Sequence, residues 1–294
     1  MKASFERNTP KIMAAPAFIV LLIISLVPLI YVLGISFTQS TLAKPFNAFI
    51  GFENYKRALT DEIFGASIRN TIVFAFLVTT IQTLLGFLLA FIMQKERKLS
   101  GIFRTLALLP LFTPPVAVAM LWQLIYDPNS GFLNYYLLQS GLINRSIAFL
   151  GDVKFAFPAI MLADTWQWTP FCFLLCLAAL QSLPKDPFEA AAVDGATPWQ
   201  VFKRLTLPMV APQVLVVFLF RFIIALKVFD LIYMLTFGGP GNATQVASFY
   251  IYRVGFKQFD IGYAGALSVL TLIVISLLTT FVTKGRDSLL KRFE

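Results

Sequence analysis

The hydrophobic and polar positions of this chain fall into six long apolar runs separated by short polar stretches. A helix needs about 20 apolar residues to cross a bilayer, and each run is long enough. The runs are Met13–Phe37, Asn70–Met93, Thr105–Tyr126, Phe155–Ser182, about Val210–Phe237 and Ile261–Thr283. No charge occurs between Lys11 and Lys44, so the first run is longer than the core of a secretory signal and reads as an uncleaved anchor. The third run contains Pro110, Pro114 and Pro115, which suit either bending or ordinary kinked packing. The fourth holds Asp164, and the fifth holds Arg221, Lys227 and Asp230. The pattern predicts an all-α integral membrane protein of six spans. It forms one membrane domain over residues 1–294, with no internal repeat and no second soluble domain.

Composition supports a bilayer as solvent. Only 13% of residues are charged and 58% are hydrophobic, against roughly 25% charge in a soluble domain. Lys and Arg number 24 and Asp and Glu 15. The distribution of that excess is informative. Fourteen basic residues fall before the first span, in Gln94–Arg104, in Leu183–Leu205 and after Thr283, and eight in the other three, longer loops. The positive-inside rule then places both termini and Leu183–Leu205 in the cytoplasm. The basic residues form no stripe, which argues against nucleic acid as a partner. Of the loops on the opposite side, Thr38–Arg69 is the longest, too short for a substantial core. Tyr31, Trp122, Tyr126 and Trp199 fall near span ends.

The chain has no histidine, which removes the usual ligand of zinc sites and the usual acid–base group. Cys172 and Cys176 lie one helical turn apart in an apolar run, a spacing that suits packing better than a disulfide. No G-x-x-x-x-G-K-[ST] phosphate loop is present, so any ATP and magnesium must bind on another chain, and no cofactor is expected on this one.

The loop Leu183–Leu205 carries the clearest local signals. Asp186-Pro187-Phe188-Glu189 reads as a helix start, with Asp186 as the cap, Pro187 at the first helical position and Glu189 reaching back. The helix runs through Ala190, Ala191, Ala192 and Val193, and after Asp194, Gly195 suits a left-handed stop. Thr197-Pro198-Trp199-Gln200 repeats the start signal, and Lys203 and Arg204 are expected in the last turn of a second short helix. Pro208 then precedes the fifth span. By these signals alone, the hairpin either docks on another protein or rests on the membrane or its own chain.

Glu189-Ala190-Ala191, three residues, Gly195, nine residues and Leu205-Thr206-Leu207-Pro208 together resemble the EAA motif of bacterial ABC-importer permeases, which usually carry Ile where Leu205 stands. The resemblance implies a type I importer permease fold. It also implies a coupling role for Glu189, Ala190, Ala191, Asp194, Gly195, Leu207 and Pro208, which would dock the loop in a cleft of the ATPase subunit. Phe229–Thr236 followed by Gly238-Gly239-Pro240-Gly241, Gly262–Ser268, and Gly51–Tyr55 resemble the carbohydrate-uptake branch, specifically its maltose-type first permease. Such permeases work with a second, related permease chain, two ATPase subunits and an external binding protein, periplasmic or lipid-anchored, in the inner membrane.

Asp164, Gln167, Trp168 and Phe171 share one face of the fourth span. By the resemblance they match positions that contact sugar. Trp168 and Phe171 offer flat faces, Asp164 and Gln167 offer hydrogen bonds, and the residue types depart from the maltose-specific pattern. On the fifth span Arg221, Ile224, Ala225 and Val228 share a face, and Arg221 matches a family contact position. Its charge suits an anionic sugar derivative. The structural alternative is a pair with Asp164 or Asp230 that holds spans together. Asp230 and Lys227 belong to the same stretch as a network or gate. These intramembrane charges also admit an ion-gradient-driven secondary transporter, although the chain shows no inverted repeat. An intramembrane enzyme finds no paired carboxylates or metal motif, and a pure scaffold leaves the charges unexplained.

Overall fold

The computed structural model describes residues 2–94 and 100–290 and is overwhelmingly helical. Lys95, Arg97, Lys98, Lys291 and Arg292, part of the basic-loop asymmetry, lie outside the described residues. The chain opens with α1 (Lys2–Ser36), a hairpin of β1 (Thr38–Thr41) and β2 (Lys44–Phe49), α2 (Glu53–Thr60) and α3 (Glu62–Met93). It continues through α4 (Ser100–Phe112), α5 (Pro115–Tyr126), α6 (Phe132–Gln139) and α7 (Val153–Gln181). After α8 (Asp186–Val193) and α9 (Pro198–Val201), a π segment (Phe202–Thr206) leads into α10 (Leu207–Ala225). Then come α11 (Asp230–Leu235), α12 (Ala247–Tyr252), a second π segment (Arg253–Lys257) and α13 (Ile261–Leu290). Contacts group these into two compact units, Met1–Phe64 with Ile251–Ile273, and Gly65–Tyr250 with Val274–Glu294.

Among the described residues, five helices are long and apolar enough to cross a membrane: Ala15–Ser36, Glu62–Met93, Val153–Gln181, Pro198–Ala225 and Ile261–Gly285. Only 6% of the first is buried within this chain, against 61% of the fourth-span helix α7. The expected third span, Thr105–Tyr126, is not one helix. It is two, Gly101–Phe112 and Pro115–Tyr126, bent by 95°. Pro114 and Pro115 both lack the N–H a helix needs, and Pro114 sits at ψ 141°, extended as a residue before proline prefers. The expected fifth span, Val210–Phe237, is also broken. Its helix stops at Ala225, and Phe229 is non-helical at φ −143° before α11 begins. At the other end that helix starts earlier than expected, at Pro198.

In the first unit, β1 and β2 pair antiparallel with Thr38 opposite Phe49, a small sheet that the apolar runs do not announce. Asn54 donates its amide to Ser36 O (2.9 Å), a carbonyl left at the end of α1, and to Thr38 O (3.0 Å) at the start of β1. Arg57 pairs with Asp260 at 2.8 Å and lies 3.8 Å over the Tyr263 ring. A Cβ on Gly262 would meet Thr38 O at 2.2 Å, so glycine is what lets the start of α13 touch β1. That contact explains physically one residue of the Gly262–Ser268 signature.

In the second unit, Ala90 of α3, Cys172, Phe173, Cys176 and Leu177 of α7, and Val210 and Val217 of α10 form one buried cluster. Both cysteines are unbridged and buried there. Gly86 brings α3 close against α7. A Cβ at this position would lie 2.6 Å from Cys172 Cβ and 2.6 Å from Phe173 N, the small-residue contact by which helices pack closely in lipid.

Candidate functional site

Two features of the second unit carry the expected function: a polar cavity among α5, α7, α10 and α11, and the exposed hairpin α8–α9. The cavity, of about 110 Å3, is walled by Asp164, Gln167 and Trp168 from α7 and by Arg221, Ile224 and Ala225 from α10. The break after Ala225 adds Lys227, Val228 and Phe229, and α5 and α11 add Pro115, Asp230 and Leu231. The break in the fifth span thus turns irregular backbone towards the cavity, which is where such backbone is tolerated inside a membrane.

The freed backbone groups at each break find partners. Gln167 Nε2 donates to Thr113 O at 3.2 Å, at the bend of the third span. Ser248 Oγ donates to Val228 O at the break in the fifth. Gln123 Nε2 donates to Met234 O at 2.7 Å and so ties α5 to α11. Gln167 is therefore engaged with backbone in this state.

Asp164 and Arg221 form a buried pair, 3% and 1% exposed. A third residue completes the arrangement. Arg221 Nε donates to Gln82 Oε1 at 2.6 Å, and Gln82 Nε2 donates to Asp164 Oδ2 at 2.8 Å and to Asp164 O at 3.0 Å. Arg221 Nη2 donates to Asp164 Oδ2 directly. The ring of Trp168 lies 4.9 Å from the guanidinium carbon of Arg221. Of the two partners offered by the sequence, Arg221 takes Asp164 and not Asp230. Asp230 instead occupies the first turn of α11, where a carboxylate favours the helix dipole. Phe171 does not wall the cavity. Its ring packs edge-on to Trp168 at 5.9 Å.

Gln82 is the residue that sequence reading passes over. It is fully buried, and its signal was available: an amide in the middle of the apolar run Asn70–Met93. An amide has no charge to attract notice, yet in lipid it needs partners as much as an ion does.

The hairpin projects with no buried residue in either α8 or α9. Asp186 is not the cap of α8. The helix starts one residue earlier than a cap at that position allows, with Lys185 flanking it in helical conformation and no side-chain cap. Asp186 and Glu189 therefore act through the first-turn dipole. The stop agrees with expectation: Gly195 has φ +70°, Gly195 N donates to Ala192 O (3.2 Å), and Ala196 N donates to Ala191 O (2.9 Å). This is the Schellman arrangement, which needs a left-handed residue. The second start also agrees. Thr197 N donates to Gln200 Oε1 at 2.8 Å, and Gln200 N donates to Thr197 Oγ1 at 3.4 Å, a complete capping box.

The second short helix does not end before the fifth span. Lys203 and Arg204 lie in the π segment, which widens the helix by one residue and runs into α10. Leu207 N reaches back to Phe202 O across that segment, and Pro208, with no N–H to offer, follows in the first turn. Helix Pro198–Ala225 is thus unbroken for 28 residues. It carries the hairpin at one end and Arg221 near the other, roughly 35 Å apart at 1.5 Å per residue. Phe202 packs on Phe91 of α3 (4.9 Å) and stacks on Trp199 (5.6 Å), which fixes the hairpin's base. Glu189, Ala190, Asp194, Gly195 and Leu207 are exposed, Ala191 and Pro208 half-buried.

Comparisons with known proteins agree with this architecture. Residues 82–291 match the family model described as binding-protein-dependent transport system inner membrane component. The trehalose/maltose transport system permease protein of Thermococcus litoralis is 36% identical over 285 residues, 96% of this chain and 95% of that protein. A probable ABC transporter permease of Sinorhizobium fredii is 38% identical over 262 residues, 88% of this chain and 84% of that one. Among solved structures, a chain of a bacterial alginate ABC transporter, in complex with its alginate pentasaccharide-bound periplasmic protein, superposes with a TM-score of 0.85. It is 26% identical, and the match covers 99% of this chain and 98% of that chain. The chain belongs to the inner-membrane permease components of binding-protein-dependent ABC importers.

Proposed function

We propose that this chain is one of a pair of permease subunits that import a carbohydrate, delivered by an external binding protein and driven by two separate ATPase subunits. The observation that carries the reading is the unbroken helix Pro198–Ala225, which joins a hairpin with no buried residue in α8 or α9 to the buried Arg221. A rigid lever of this kind transmits a movement at the hairpin to the cavity without melting. Glu189, Ala190, Ala191, Asp194, Gly195, Leu207 and Pro208 form the ATPase-facing end. ATP and magnesium reside on the ATPase chains, and this subunit supplies no catalytic group. Both termini and the hairpin face the cytoplasm of the cell that bears it.

Relatives named for trehalose, maltose, lactose and alginate support a carbohydrate as cargo. The cavity suits hydroxyl groups: Trp168 offers a ring face, and Asp164, Gln167 and Asp230 offer polar atoms at the wall. Arg221 already shares its charge with Asp164, and Lys227 and Asp230 balance each other formally, so the wall carries no net charge to select an anion. Alternating access then consists of two packings of the same helices, each favoured by a different state of the motor.

The test is uptake in proteoliposomes that hold the full complex and its binding protein, with labelled neutral and acidic oligosaccharides side by side. ATP-dependent, vanadate-sensitive uptake is expected, and Glu189→Lys or Gly195→Asp should abolish it while Arg221 and the cavity stay intact. Uptake that follows an imposed proton or sodium gradient without ATP would establish the secondary-transporter alternative instead.

A further inference from the structure

The bend of the third span opens a second recess, distinct from the polar cavity. Its volume is about 390 Å3, and it lies in the crook between α4 and α5, closed behind by α3 and α7. Leu85 and Leu89 of α3, Pro110 of α4, Trp122 of α5, and Leu162 and Trp166 of α7 make most of its wall. None of its lining residues is ionisable. Of the two threonines it includes, Thr169 turns its hydroxyl inward on the helix, donating Oγ1 to the backbone carbonyl of Thr165 at 2.6 Å.

The recess uses other positions of α7 than the polar cavity does. Asp164, Gln167 and Trp168 wall the cavity, while Leu162, Thr165, Trp166, Thr169 and Phe173 wall the recess. It is open at the surface, where Leu85, Leu89, Leu162 and Trp166 are 41%, 39%, 50% and 39% exposed. That rim continues into the outward apolar row Leu77, Ile81, Leu84, Leu88 and Ile92 of α3, a surface that faces lipid in an inner-membrane protein.

We propose that this recess is a binding site for one acyl chain of a membrane phospholipid. Two observations select that occupant over a helix of another chain. The lining is bulky, with Leu, Trp and Phe, whereas helix seams in membranes favour small residues that let backbones approach. Its shape follows from a 95° bend, which leaves a hollow that a flexible chain fills and a straight helix does not. An empty hollow would leave the lining without dispersion partners on one side. A chain seated there props the bend that places Pro115 at the wall of the polar cavity, so lipid occupancy supports the cavity's shape.

The test is native mass spectrometry of the intact importer, purified in detergent after equilibration with phosphatidylglycerol, on wild type, Ala107→Trp and Leu162→Trp. Both substitutions place a large ring in the recess, one at its floor and one at its rim. The wild type is expected to retain one more phospholipid than either variant. If Ala107→Trp fails to assemble, the exposed Leu162 site decides alone. Equal lipid retention in wild type and Leu162→Trp overturns the proposal. So does efficient cross-linking of Leu162→Cys to the second permease, which would put a protein helix in the recess.

Discussion

Arg221 and Asp164 sit where a lone charge has no solvent to receive it. Removing one partner of such a pair typically costs about 3–5 kcal/mol, because the other is left buried and uncompensated. Replacing both with apolar residues of similar size is often close to neutral. We therefore expect Arg221→Met and Asp164→Leu each to lower the thermal midpoint of the detergent-solubilised complex, and the double variant to recover most of the loss. Additive losses in that cycle would mean the pair is not what makes either residue matter. Gln82→Leu leaves Arg221 Nε without its 2.6 Å acceptor and should cost about 1–3 kcal/mol. At this scale the sequence revealed the two charges by their type alone. It left the choice between Asp164 and Asp230 open, and it hid Gln82, because the choice of partner is a property of three helices packed together and not of any one of them.

The hairpin is the element whose local chemistry was most legible. Thr197, Pro198 and Gln200 specify a helix start through contacts within four residues, and Gly195 specifies a stop, so neither needed tertiary information. We expect Thr197→Ala to cost about 1 kcal/mol through the lost cap. Gly195→Ala, strained at φ +70°, should cost about 1 kcal/mol, and Gly195→Asn less, since Asn tolerates that conformation. Faster hydrogen exchange confined to residues 186–201 is the readout. Protection lost throughout the chain would show that the hairpin is not an independent cap-stabilised element. The bend at Pro114 was only half legible. Three prolines announce a weak helix, but a 95° turn requires a partner for the freed carbonyl, which Gln167 supplies from α7. Gln167→Leu is accordingly expected to destabilise by about 1–3 kcal/mol without any change in charge.

At the scale of the molecule, orientation in the membrane rests on the basic-residue count, and labelling can check it. In a background with Cys172→Ala and Cys176→Ala, Val193→Cys places a thiol at a position 89% exposed. A membrane-impermeant maleimide should label it in inverted vesicles and not in intact cells stripped of their outer layers. The reverse pattern would invert the topology and remove the hairpin from the ATPase side. The number of spans is also a whole-molecule question. Among the described residues, six apolar runs resolve into five long helices and one bent pair, because run length reports only where apolar residues lie. It does not report whether the backbone through them stays helical.

From the sequence alone it follows that this chain lives in a bilayer, that it is helical, and that one helix stops at Gly195 and the next starts at Thr197. Those features depend on composition and on contacts between near neighbours. The tertiary structure decided where the third and fifth spans break and that helix Pro198–Ala225 runs unbroken from the hairpin past Arg221. It also decided that Gln82, Asp164 and Arg221 close on one another. The physical reason is shared. Inside lipid every polar group must be satisfied by protein, and for a break or a buried charge the satisfying group comes from a residue far along the chain.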